Sequence, residues 1–116
     1  MGTKAEPPVI VVKSYDFAAW LLQKTANFPK HYRVSLGDRL DGTVLDLLLV
    51  LVSAAYAAKK DAILQQGDEK LNRLRLLLRL AKDLKVVSVD SYGFASESLE
   101  EIGRMLGGWR KSLKEG

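Results

Sequence analysis

Apolar residues recur at helical spacing along almost the whole chain, and the breaks in that pattern divide it into four segments. From Tyr15 onward, Phe17, Trp20, Leu21 and Phe28 keep helical spacing until Pro29 closes the segment. Upstream, Val9 to Val12 reads either as a short strand or as the lead-in to this helix. Residues 1–14 are expected to form a polar, proline-bearing arm, partly disordered, with the folded domain spanning 15–116. The second helix is expected to open at Ser35, where "SLGD" has the Ser-x-x-acid spacing of a capping box. No breaker then appears until about Gln65, which gives a helix of roughly 45 Å. Gly67-Asp68 is expected to supply a turn and an N-cap for the third helix, which continues to about Lys85. Ser88 caps a fourth, through "VDSYGFASESLEEIGRMLGGWRKSLK". Short connections between long helices make antiparallel neighbours, so the fold expected is all-α, an antiparallel up-down four-helix bundle.

The second helix has more apolar surface than one core can use. Val44, Leu45, Leu47, Leu48, Leu49, Val50, Leu51 and Val52 cover nearly its whole circumference. A helix apolar all round needs burial on every side, and in a four-helix monomer one face of each helix remains outside. The surplus points to burial against another subunit. The plainer alternative is a central helix covered by its own neighbours and a wrapped N-terminal arm.

Charge changes the picture on the third helix. In "KLNRLRLLLRLAKDLK", residues 70–85, Lys70, Arg73, Arg75, Arg79, Lys82 and Lys85 face the single acid Asp83, although the chain's formal net charge is only +4. Laid out at about 100° per residue, Leu71, Leu74, Leu77, Leu78, Ala81 and Leu84 form one sector, widened by Leu76 and Leu80. Arg75, Arg79 and Lys82 fall together opposite. A solvated face usually mixes signs, with Glu four residues before Lys, and that acid is missing here. Lys82 and Lys85 also suit a helix C-terminus; Arg75 and Arg79 carry the planar guanidinium suited to phosphate. Arg73 lies inside the apolar sector, as Asp46 does on the second helix. The two could form a satisfied pair with each other, with Arg39 or across subunits.

The fourth helix places Glu97, Glu100 and Glu101 in its first half and Arg104, Arg110, Lys111 and Lys114 in its second, the direction the macrodipole favours. Arg75, Arg79, Lys82, Arg110, Lys111 and Lys114 are therefore the candidate nucleic-acid-binding residues. Gly103 and Gly107 lie four apart and are expected to let another backbone approach, with Ala54, Ala55, Ala57 and Ala58 as partners. Trp109 reads as a packing anchor at the end of the bundle.

Catalysis finds no support. His31 is the only histidine and there is no cysteine, so no metal set or thiol nucleophile can be assembled from them. Asp38 and Asp41 are better explained by a helix N-terminus than as paired acids. "MLGGW" follows no strand and lacks the phosphate-loop lysine, and no Glu-x-x-His pair is present. No enzyme activity and no cofactor are expected. The absence of cysteine, of a signal-peptide pattern and of a membrane-length apolar run fits a cytoplasmic protein.

Two longer stretches, "FPKHYRVSLGDRL" at 28–40 and "LEEIGRMLGGWRKS" at 99–112, resemble the Avd family. These are the accessory variability proteins of diversity-generating retroelements, within the group of four-helix-bundle proteins related to those encoded in 23S rRNA intervening sequences. The resemblance covers nearly the whole chain after about residue 10. Phe28, Pro29, Lys30 and Gly37 match the first motif; Gly103, Arg104, Gly107, Gly108 and Trp109 match the second. The resemblance implies a ring-like homopentamer with a positive surface, associated with the element's reverse transcriptase and with RNA, and DNA as well, in mutagenic cDNA synthesis. The alternative is a stand-alone oligomeric adaptor that binds only a protein partner.

Overall fold

A computed structural model describes residues 8–115. Four long helices account for most of them: α1 (Val9–Ala26), α3 (Asp38–Tyr56), α4 (Asp61–Asp83) and α5 (Val89–Glu115). A single turn, α2 (Lys30–Tyr32), and a π-helical segment, Arg33–Gly37, lead into α3. Among the described residues there is no strand. Around the bundle the order is α1, α3, α4, α5, with α5 closing back on α1. The resulting body measures 46 × 28 × 21 Å.

The core is a leucine column. Leu21, Leu40, Leu47, Leu51, Leu64, Leu71, Leu74, Leu78, Leu99, Ile102 and Leu106 are all at most 1% exposed. Each such side chain contributes on the order of 1.5–3 kcal/mol by leaving water, and that sum holds the four helices together. One polar link crosses the core edge: the buried Thr25 hydroxyl donates to the Asp41 carboxylate, tying α1 to the first turn of α3.

Several boundaries differ from those the pattern predicts. Val9 to Val12 are the lead-in to the first helix and no strand: with Lys13 and Ser14, placed above in the arm, they form the first turns of α1, with Ile10 and Ser14 buried; residues 1–7 of that arm lie outside the described residues. Ser35 caps nothing. Its hydroxyl donates backward to the His31 carbonyl at 3.0 Å, inside the π-helical segment. The chain re-enters helix earlier, at Lys30, directly after Pro29.

The largest difference is the turn between the second and third long helices. The helix ends at Tyr56, where Ala57 turns extended with ψ 148, and α4 begins at Asp61. Gly67 and Asp68 therefore lie within α4 and form no turn. The alanine-rich stretch favours helix locally, but a continuous 45 Å rod would leave Leu64 without a core. Folding back at residues 57–60 buries Leu64 completely; tertiary packing overrides propensity. Lys60 secures the break, its Nζ donating to the carbonyls of Ala54 and Ala57 at 2.8 and 2.7 Å. Ser88 does cap α5, its Oγ accepting from the Ser91 amide at 3.0 Å.

Candidate nucleic-acid interface

α4 and α5 pack antiparallel, and their outer seam gathers the candidate cations. Three contacts set the register. Arg110 Nη1 donates to Asp68 Oδ2 at 2.8 Å, Arg75 lies against Gly103, and Lys82 Nζ sits 4.9 Å from the centre of the Tyr92 ring. Asp68, Arg75 and Lys82 are spaced by seven residues, about 10 Å along a helix. The two clusters read from sequence thus lie on one seam: Arg110, Lys111 and Lys114 at one end, Arg75, Arg79 and Lys82 from its middle to the other.

The six side chains are not equivalent. Arg79, Lys111 and Lys114 are exposed and enter no ion pair among the described residues. Arg110 is engaged by Asp68, with only a quarter of its side chain exposed. Lys82 approaches Asp83 at 3.7 Å. Arg75 is exposed as well and enters no ion pair among the described residues, but it is engaged: Nη1 donates to Asn72 Oδ1 at 3.0 Å and Nη2 makes a long contact with the Leu99 carbonyl at 3.5 Å. Arg104, not among the candidates, joins the seam from α5, loosely paired with Glu100 at 3.8 Å. Its spacing of seven and ten residues from Lys111 and Lys114 places all three on one stripe, a signal that was available in the sequence.

Gly103 works differently from the expectation that it admits a backbone. Its neighbours are the Arg75 guanidinium and Leu71 on α4, and nothing lies within 4 Å of where a Gly107 side chain would begin. α5 packs on α4 and α1 rather than along the alanines of α3. The glycine makes room for an arginine.

On the adjoining face, Arg39, Asp46 and Arg73 line one open groove between α3 and α4, together with Gly42, Thr43, Leu76 and Leu77. Asp46 thus stands near both cations, though no ion pair joins them among the described residues. The apolar surplus stays outside: Leu49 is 62% and Leu76 69% exposed, with Leu45 and Leu80 also open.

No set of three or more His, Cys, Asp or Glu side chains among the described residues could hold a metal ion. None of the described helices is long and apolar enough to cross a membrane. His31 is exposed and packs edge-on against Tyr32 at 5.0 Å.

A family model described as bAvd-like matches residues 8–113. The chain belongs to the bAvd-like family. No curated protein matches it. The stretches that carry the resemblance are structural in this bAvd-like chain. Phe28 is buried, Pro29 is the N-cap residue before α2, and Gly37 lies where an added Cβ would meet Phe28 and the Tyr32 carbonyl at 3.5 Å. In the second stretch Gly103 seats Arg75, and Trp109 packs against the core.

Proposed function

We propose that this bAvd-like protein is a non-catalytic accessory factor of a diversity-generating retroelement, binding RNA, and DNA as well, together with the element's reverse transcriptase through the α4/α5 seam. The observation that carries the reading is the concentration on one seam of Arg75, Arg79, Lys82, Arg104, Arg110, Lys111 and Lys114 against Asp68, Asp83 and Glu100. Cations presented along a line about 30 Å long suit a phosphate backbone, whose bound counterions they would release. The family supplies the accessory role; nothing in the chemistry of the site calls for a reaction.

We further propose that the protein acts as a homo-oligomer, a pentameric ring in the family's manner. Leu49, Leu76 and Leu80 rim the α3/α4 face, which also carries Arg39, Arg73 and Lys70 against Asp46. Across the bundle, the α1/α5 face presents Val9, Val12 and Phe94 with Asp16 and Glu101, and Lys13 bridges to Glu101 at 3.4 Å. Apolar surface with cations on one side and with acids on the other favours head-to-tail contacts between copies. Light scattering for mass, combined with titration of a structured RNA and a matched duplex DNA across a salt series, tests both parts. Salt-weakened binding by an oligomer supports the reading. An intact oligomer that binds neither at low salt would favour the protein-only adaptor.

A further inference from the structure

Between α4 and α5, midway along the basic seam, lies a half-open cavity of about 380 Å³ lined by Arg75, Leu78, Tyr92, Ser96, Leu99 and Glu100. Its volume is in the range of small-ligand sites. Leu78 and Leu99 give it apolar walls. Arg75 is held in place by Asn72, by the Leu99 carbonyl and by its seat over Gly103. The Tyr92 phenol, the Ser96 hydroxyl and the Glu100 carboxylate make no hydrogen bond among the described residues. Glu100 meets only Arg104, at 3.8 Å, beyond hydrogen-bond reach.

These groups select a ligand by elimination. Phosphate would be drawn to Arg75 but repelled by Glu100, which lines the same cavity. A purely apolar group would cover a guanidinium and a carboxylate that both stand in water, Glu100 with 72% of its side chain exposed, and would give nothing in place of that hydration. A flat heterocycle with acceptors on one edge and donors on another would use both, while its faces rest on the leucines. The geometry points to a seat for one unpaired nucleobase, guanine above all. Guanine O6 and N7 accept from the Arg75 guanidinium, and guanine N1–H and N2–H donate to the Glu100 carboxylate. Arg79, Lys82 and Arg104 stand around the cavity and take the flanking phosphates. Single-stranded nucleic acid is commonly read this way, by splayed bases in pockets beside a basic track. This inference rests on the nucleic-acid reading above and sharpens it: the seam prefers a single strand to a duplex.

The test compares an all-uridine RNA strand, the same strand with one central guanosine or adenosine, and a duplex in which that guanosine is paired. Wild-type protein should bind the guanosine strand about tenfold more tightly than the uridine strand, the discrimination of one bidentate base contact. Ser96→Trp, which fills the cavity and leaves every cation in place, should abolish that preference and leave duplex affinity and its salt dependence unchanged. Glu100→Gln removes a negative charge from the seam, so it should tighten binding of the uridine strand while losing the guanosine preference. Equal wild-type affinity for the three strands, or a preference that survives both variants, would overturn the seat. Failure to bind any strand or the duplex at low salt would instead remove the nucleic-acid reading itself, and the seat with it.

Discussion

The Arg75 guanidinium occupies the space that a side chain at residue 103 would need: a Cβ built on Gly103 would lie 2.6 Å from Arg75 Nη2. The seam's central cation is thus positioned by the absence of an atom on the neighbouring helix. Gly103→Ala should displace Arg75 from the Leu99 carbonyl. The displaced atom is the end of a flexible side chain, and alanine favours helix by up to about 1 kcal/mol over glycine. Thermal stability should therefore change little, while RNA affinity or base preference shifts. Denaturation and binding measured on the same variant separate the two.

Gly67 tests the redrawn boundary. In a turn with positive φ an alanine there would be strained, but no described glycine has positive φ. An added Cβ would meet Leu106 and Leu51 at 3.5 and 3.6 Å, ordinary contact distances. Gly67→Ala should stabilise the protein by about 0.5–1 kcal/mol, read as a rise in denaturation midpoint with unchanged m-value. Destabilisation would favour a turn at this position.

Lys85 is the one described non-glycine residue with positive φ, at 63°. It ends α4 in a Schellman arrangement: the Lys85 amide donates to the Lys82 carbonyl and the Val86 amide to the Ala81 carbonyl, both at 2.9 Å. A left-handed conformation costs an L-residue about 1–2 kcal/mol, partly offset in glycine by its greater freedom when unfolded. Lys85→Gly should therefore raise stability by about 0.5–1 kcal/mol, as measured by chemical denaturation.

Asp68 restrains Arg110 through the shortest ion pair among the described residues. Partly exposed pairs contribute little, about 1 kcal/mol or less. Asp68→Asn should leave the fold nearly as stable and should tighten RNA binding, since it removes an acid from the seam and frees a cation. Unchanged affinity would place the C-terminal end of α5 outside the interface.

The bundle was legible because its leucines keep helical spacing and its first and last connections carry Pro29 and Ser88. The break at 57–60 was not, because no breaker marks it: alanines favour helix, and only the burial of Leu64 in the core decides where the chain folds back. Gly67 misled for the opposite reason: it is a glycine in the interior of a helix, buried and with ordinary helical backbone, so its residue type marks no turn. The basic stripe could be placed on a helix from spacing alone. That Arg75 is fixed over Gly103 while Arg79 is free depends on the register of α4 against α5, which periodicity within one helix cannot specify.

Phosphate binding along the α4/α5 seam turns on Arg79 and Lys111, both exposed and outside any ion pair among the described residues. RNA affinity should be measured across a salt series for wild type and for Arg79→Gln/Lys111→Gln, with oligomer mass checked for both. Binding through the seam should make the variant weaker and its salt dependence shallower by about one to two in log–log slope, at unchanged mass. Identical affinity and slope in the two proteins would contradict it.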